Sequence, residues 1–315
     1  MKMMLTGASG FIGEPVLDEL LSRKHQLIAL VRSAVPTRWS ELENLEVMQA
    51  DLLEPQLLDL RQKGIDVVLH LAAVTTQSPS QQFADTVTAT SNLLSAVRQA
   101  GIRRIVAISS TAVLDYRRMG ALTLIDEHAP LADGGACCDY PTSKLQQERL
   151  LREFAGEGAN ACTVLRPGLA YDEWRLTAAY AGICSKGIGL LASHDGEVPT
   201  IEVRGLAAAI ANATERELDR WEVIHLVDDS LPRQSGYLSA LQRRGLLPRL
   251  SLRLPWRVLQ GLCYFAGSLF TALGYRDRLP EVLLPQGFSR RLKPFRFSNA
   301  KAKKLLAWVP GREFV

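Results

Sequence analysis

The chain has no unbroken apolar run of the roughly 20 residues that a membrane-spanning helix needs. Its five cysteines (Cys137, Cys138, Cys162, Cys184 and Cys263) include no CxxC pair and are odd in number. That argues against a disulfide framework or a structural zinc site, and no metal is expected. The opening Met1 to Gly7 lacks the basic-then-apolar pattern of a secretory leader. These absences lead us to expect a cytoplasmic protein. What is present is 315 residues, 47% apolar and 22% charged, enough to bury a large core and too apolar for a disordered chain. The net charge of +4 hides an asymmetry. From Leu231 to Val315 there are 16 Lys and Arg against 3 Asp and Glu, a balance of +13, so the first 230 residues carry −9. Such a basic third suits an anionic partner: a phosphorylated substrate, a lipid surface or a nucleic acid; the alternative is a solvated basic face. No RNA- or DNA-binding motif surrounds the charges, so nucleic acid is not expected.

Short apolar runs alternate with helical patterns through the first half, the mark of βαβ units around a parallel sheet. Strands are expected at Met3 to Thr6, His25 to Val31, Glu46 to Ala50, Asp66 to Val74, Arg104 to Ser109 and Ala161 to Leu165. Helices are expected at Phe11 to Ser22, Gln56 to Lys63, Gln81 to Ala100 and Asp139 to Phe154. The fold class is α/β, a Rossmann-type doubly wound parallel sheet with a smaller, mostly helical C-terminal lobe. Residues 1–170 form the dinucleotide-binding domain, with about 201–230 returning to it. Residues 171–200 and 231–315 form the lobe, packed over the C-terminal strand ends, where open α/β sheets bind ligands.

Thr6-Gly7-Ala8-Ser9-Gly10-Phe11-Ile12-Gly13 places three glycines between the first strand and the first helix. Gly7 permits the tight turn, Gly10 lets the backbone approach a pyrophosphate, and Gly13 lets the helix pack closely on the sheet. The second strand ends Leu30-Val31-Arg32-Ser33, with no acid to accept a free ribose 2′-hydroxyl. Arg32, with Arg38 nearby, therefore favours NADP over NAD; the alternative is that Arg32 only stacks on the adenine. Tyr140 and Lys144 stand one turn apart on a helix. A phenol becomes a useful acid–base group when a neighbouring ammonium stabilises its anion. Ser109-Ser110-Thr111 ends the preceding strand, where a hydroxyl can hold a substrate oxygen against Tyr140, Ser110 first and Thr111 as its rival.

On these residues the chain resembles an extended short-chain dehydrogenase/reductase of the NAD-dependent epimerase/dehydratase family, the group that contains UDP-glucose 4-epimerase. The likeness is carried by residues 6–13, Asp51-Leu52, His70-Leu71-Ala72-Ala73, Asn92, Ser110, Tyr140 with Lys144, Leu165-Arg166-Pro167 and the closing run from Phe297 to Pro310. The resemblance implies an enzyme with Tyr140 as general acid/base, Lys144 on the nicotinamide ribose and lowering the Tyr140 pKa, and Ser110 orienting the substrate. It also implies Asp51 and Leu52 beside the adenine, Leu71, Ala72 and Ala73 along the cofactor with Asn92 near it, and Pro167-Gly168 against the nicotinamide. Phe11 and Ile12 join Gly7, Gly10 and Gly13 at the phosphates.

There are departures. Ser110-Thr111-Ala112 carries no carboxylate, which disfavours a dehydratase, and Val113-Leu114-Asp115 matches the family's Val-Tyr-Gly imperfectly. Val203-Arg204-Gly205-Leu206 lacks the usual Asp before the late helix, leaving its cap in doubt. Leu254 to Gly274 has a charge-free core of 16 residues, Val258 to Leu273. It reads as a lobe helix buried on the substrate side, or as a membrane-surface helix flanked by Arg249, Arg253, Arg257, Arg276 and Arg278. The leading functional reading is an NAD(P)-dependent oxidoreductase or epimerase acting on a nucleotide sugar, by C4 epimerisation or 4-ketoreduction, with Arg233 and Arg290 or Arg291 on the diphosphate. One alternative is a hydroxysteroid-like or other lipophilic alcohol dehydrogenase; another is a non-catalytic cofactor sensor. A homodimer fits any of them. Because Arg32 replaces an acid, NADPH is expected to bind more tightly than NADH in a fluorescence titration, and Arg32→Asp to reverse or abolish the preference. Equal affinities in the parent chain would contradict the assignment.

Overall fold

The first strand, β1 (Lys2–Thr6), is apolar at every inner position, and its side chains alternate: Met3 and Leu5 enter one core, Met4 the other. A computed structural model describes the chain apart from residues 33–34, 73–78, 134–138, 186, 276–278, 311–313 and 315. After β1 come α1 (Gly13–Ser22), β2 (Gln26–Val31), β3 (Leu45–Gln49), β4 (Val67–His70) and α2 (Pro79–Gln99). Then follow β5 (Arg104–Ile108), β6 (Leu124–Ile125), α3 (Asp139–Gly156), β7 (Ala161–Pro167) and β8 (Leu169–Tyr171). The rest comprises β9 (Gly182–Ser185), β10 (Ile188–Ser193), β11 (Thr200–Glu202), α4 (Val203–Glu215), β12 (Trp221–Leu226) and α5 (Gln234–Arg243). Last are β13 (Leu250–Pro255), α6 (Trp256–Ala272), α7 (Pro285–Leu292), β14 (Arg296–Phe297) and α8 (Ala300–Leu306).

Seven strands form one sheet in the order β12-β7-β5-β4-β1-β2-β3, with every neighbouring pair parallel. The order reverses between β1 and β4, which opens a crevice at their C-terminal ends. Leu17 and Leu20 of α1, Ile210 of α4 and Leu306 of α8 fill the core on one face; Leu94 and Val97 of α2 and Phe154 of α3 fill the other. This is the Rossmann-type α/β architecture.

Several expected elements differ. Residues 56–63 do not form a helix: only Pro55–Leu57 makes a single tight turn, and the Asp59 carboxylate then accepts the Arg61 N–H, a local bond that competes with helix. The strand expected over Asp66 to Val74 ends at His70, and residues 73 and 74 lie outside the described residues. Of the segments expected to return to the sheet, β12 does so beside β7. Residues 201–213 do not, because β11 pairs with β8 in a separate ladder and the rest is α4. The missing cap of α4 is supplied one step earlier, where the Glu202 carboxylate accepts the Gly205 N–H at 2.8 Å. The lobe holds α5, α6, α7 and the three-stranded ladder β13-β10-β9, whereas Ala302, Leu306 and Trp308 leave it to join the α1/α4 core.

The glycine turn is where packing is tightest. Gly7 has φ +71°, and a Cβ there would stand 2.7 Å from the Ala72 nitrogen; a Cβ on Gly13 would overlap the Gly7 carbonyl. Gly236 in α5 has open space around it. Gly13→Ala should therefore destabilise the fold by about 1–3 kcal/mol, while Gly236→Ala should stabilise it by up to about 1 kcal/mol. Urea denaturation of both variants checks the opposite signs.

Candidate active site and cofactor groove

A groove of about 420 Å³ follows the crevice, within the size range of small-molecule sites. Its floor is Gly7, Ser9, Gly10, Phe11, Ile12 and Gly13, and its far end is Arg32 at the tip of β2. Asp51, Leu52, Leu71 and Ala72 form its walls. Arg175 reaches across from the segment after β8, its guanidinium 4.8 Å from the Phe11 ring centre. These residues fit a dinucleotide: the glycines hold backbone where side chains would collide, and helix α1 begins at the groove, with Ile12 and Gly13 among its lining residues.

Not every expected contact is there. Arg38 is turned onto α1, with Asp18 at 2.8 Å and Glu14 at 3.8 Å, which leaves Arg32, among the described residues, as the cation that lines the groove at the expected 2′-phosphate position. Asn92 spends its amide on the Leu52 carbonyl at 2.8 Å and so fixes the groove wall. Asp51 lines the groove and also accepts the Leu53 N–H at 2.9 Å. Asp85 and Thr86 of α2 line it too, with nothing in their spacing to announce it. Ala73, Cys137 and Cys138 lie outside the described residues.

Tyr140, Lys144, Pro167 and Gly168 are not part of the groove wall; they lie at the tips of β5 and β7 and on α3. There the Ser110 hydroxyl, which accepts the Ala112 N–H at 3.1 Å, stands near enough to Tyr140 to favour its anion. Thr111 instead spends its hydroxyl on the Pro167 carbonyl at 3.4 Å, which separates the two rivals. Burial pushes the Tyr140 phenol above its ordinary value, against the pull of Ser110 and the Arg290 guanidinium. The guanidinium whose charge reaches Tyr140 is on α7, distant in sequence. Arg290 and Arg291 share the Glu281 carboxylate, at 2.6 and 2.7 Å, while Arg233 at the start of α5 is exposed. Asp115, fully buried, pairs with Arg117 and Arg118.

Lys144 is buried and donates to the Ile108 carbonyl and the Gln147 Oε1, both at 2.9 Å. An ammonium has no acceptor, so Gln147 must turn its Nε2 to the Thr90 hydroxyl, 3.2 Å away. Thr90 gives its one proton to the Thr86 carbonyl at 2.8 Å and must accept from His70 Nε2 at 3.1 Å. His70 Nδ1 is then an acceptor for Thr6, 2.9 Å away, whose oxygen takes the Ala72 N–H. Burial, with Lys144 nearby, drives His70 down to about 3, so it is the neutral Nε2–H form. A continuous set of hydrogen bonds, converging on the Thr90 hydroxyl from both sides, thus joins the groove wall to the Lys144 ammonium. Behind it Glu148 accepts from Arg166 at 2.6 and 2.9 Å and from Ser109. Burial lowers Lys144 to about 8, against the opposing pull of Glu148.

A family model described as the NAD dependent epimerase/dehydratase family matches residues 3–202. The chain is 27% identical to a 4-hydroxy-2-methyl-3-oxo-4-farnesyl-3,4-dihydroquinoline-1-oxide ketoreductase of Stigmatella aurantiaca, over 90% of this chain and 85% of that one. It is 27% identical to cinnamoyl-CoA reductase 1 of Petunia hybrida, over 98% and 88%. A UDP-glucose 4-epimerase of Erwinia amylovora is 31% identical, over 49% of each chain. Among solved structures, gox2253 superposes with a TM-score of 0.74 at 24% identity, covering 98% of this chain and 93% of that one.

Lys144 is charged below about pH 8 and neutral above it. Affinity for the anionic dinucleotide, measured by fluorescence, should therefore fall as pH rises through about 8, and Lys144→Met should flatten the profile. Glu148→Gln should move the midpoint lower, since that carboxylate supports the charge. A flat profile in the parent chain would contradict this account.

Proposed function

The chain belongs to the NAD-dependent epimerase/dehydratase family, and on that premise we propose that it is a ketoreductase or alcohol dehydrogenase for a lipophilic substrate, using NADPH in preference to NADH. The observation that carries the substrate class is the pairing of Arg290 and Arg291 with Glu281, which spends on the protein two of the guanidinium groups a diphosphate would need. Both full-length relatives named above are reductases, one of them acting on a farnesylated ketone, whereas the sugar epimerase matches only about half of either chain. Arg32, exposed at the groove's end with no acid beside it, supports NADPH.

The residues of the groove and Lys144 would hold the cofactor, whose reduced nicotinamide supplies hydride to the carbonyl carbon. Ser110 holds the carbonyl oxygen against Tyr140. The Tyr140 hydroxyl, kept protonated by its burial, gives its proton to that oxygen as negative charge develops there. Ser110 and Arg290 then stabilise the phenolate left behind. Lys144 has spent two donors on Ile108 and Gln147, and its third is left for the ribose hydroxyls. The Ser110–Tyr140 pair, with Ser110 favouring the Tyr140 anion, disfavours a non-catalytic cofactor sensor.

A nucleotide sugar is the second reading. It is favoured by exposed Arg233 and the basic balance of the lobe, and the same Tyr140 chemistry would then give C4 epimerisation or 4-ketoreduction. The two separate in one panel: NADPH oxidation with ketosteroids and other hydrophobic ketones, set against interconversion of UDP-glucose and UDP-galactose. Ketone-dependent oxidation is expected. UDP binding that weakens in Arg233→Ala, with no ketone turnover, would overturn the lipophilic reading. Tyr140→Phe should remove nearly all turnover with cofactor binding intact. A variant retaining more than about a tenth of the parental kcat, a loss under ~1.4 kcal/mol, would mean that another group is the acid.

A further inference from the structure

Helix α6 has one apolar face turned inward and another turned outward. Leu259, Cys263 and Gly267, four residues apart, are buried against the rest of the lobe. Gly267 brings the helix so close that a Cβ would lie 2.9 Å from the Leu283 carbonyl. Beside that buried face Val258, Leu262, Phe265, Leu269 and the capping Leu273 follow at intervals of four, three, four and four, which aligns them in one outward stripe. All five are exposed, Phe265 at 72% and Leu273 at 60%. A helix facing bulk water normally carries charge on that side, and this stripe has none. β13, which runs directly into α6, adds Leu250 and Leu252, both exposed, and Leu250 stands in register with exposed Ile188 of β10.

The charge around this surface has one sign. From residue 230 to residue 276 the sequence has no Asp or Glu and seven Arg. Arg253 and Arg257 border the stripe, exposed and without an acidic partner among the described residues, and Arg249 precedes β13. Arg276 and Arg278 lie outside the described residues. A second copy of the chain would bring the same arginines against these, a like-charge contact that opposes self-association. The 17-residue helix is also too short to pass through a bilayer; among the described residues no helix is long and apolar enough to cross one.

We propose that the outer stripe of α6, with the exposed leucines of β13, lies flat in the interface of an anionic lipid bilayer, the apolar side chains among the acyl chains and Arg253 and Arg257 on the headgroups. α6 packs on α7, whose Arg290 has Tyr140 within electrostatic reach, so the bilayer surface stands one helix behind that guanidinium. Docking stands independently of the substrate; only the delivery of a membrane-dissolved substrate to Tyr140 rests on the lipophilic reading above.

The test is flotation of the full chain with vesicles of phosphatidylcholine and phosphatidylglycerol, and with phosphatidylcholine alone. Binding to the anionic vesicles, weakening with salt, is expected. The double variant Phe265→Glu/Leu269→Glu should reduce it at least about tenfold, and Arg253→Glu/Arg257→Glu by a similar factor. Both variants should keep the parental thermal midpoint and, without vesicles, the parental turnover of a water-soluble ketone. No vesicle binding by the parent chain, or binding undiminished in Phe265→Glu/Leu269→Glu, would overturn the proposal. So would a parental dimer that ignores vesicles and is split by that variant in sedimentation, which would make the stripe a self-interface. Vesicle binding without turnover of any hydrophobic ketone would uphold the docking and remove the lipophilic substrate.

Discussion

Lys144 brings an ammonium group between α3 and the parallel sheet, away from water, and much of the surrounding structure answers that one charge. A buried cation is tolerable only when its donors are met and an opposite charge stands near. The Ile108 carbonyl and Gln147 meet two donors, and Glu148, one turn further along α3, supplies the charge. Glu148 in turn is held by Arg166 of β7 and Ser109 at the end of β5, so α3 is clamped to two strands by the same ions. The folded chain holds the Lys144 proton less tightly than an unfolded one, at about 8 against 10.5. Its burial therefore costs stability below about pH 8, and the cost is relieved as pH rises through the interval to 10.5.

The same constraint ties the two ends of the site together. The ammonium, which can only donate, fixes the orientation of Gln147 and hence its bond to Thr90. The Thr86 carbonyl, which can only accept, takes the Thr90 proton and so makes His70 donate to Thr90 and accept from Thr6, whose oxygen takes the Ala72 N–H. Ala72 is also the backbone that Gly7 approaches too closely for any side chain. The steric demand of the glycine turn and the electrostatic demand of the buried lysine thus meet at one peptide group on the groove wall. The lobe brings Arg290, matched to Glu281, within electrostatic reach of Tyr140. Ser110 and Arg290 favour the phenolate while burial, the larger effect, favours the phenol, so the Tyr140 hydroxyl keeps its proton.

Features whose residues are neighbours in the chain were legible in the sequence. The glycine turn, the one-turn spacing of Tyr140 and Lys144 and the Rossmann-type order all rest on local periodicity. What escaped depends on residues that only the fold brings together. His70, Thr90 and Gln147 come from β4, α2 and α3, and no spacing announces their chain. Arg290 was weighed for a diphosphate and instead has its charge within reach of Tyr140. Arg38 was expected beside the cofactor, but Asp18 and Glu14 on α1 compete for it. The apolar stripe of α6 was visible as a pattern, yet which of its faces is turned outward is a property of the packing around Gly267.

The most direct test of a lysine buried in its charged network is its own titration. In the chain labelled with ¹³C at lysine Cε, one resonance should titrate near 8, and it should vanish in Lys144→Met. In Glu148→Gln it should titrate lower still. Lysine resonances that all titrate near the ordinary value of about 10.4 would contradict the account, because Lys144 would then be neither dry nor held by the groups around it.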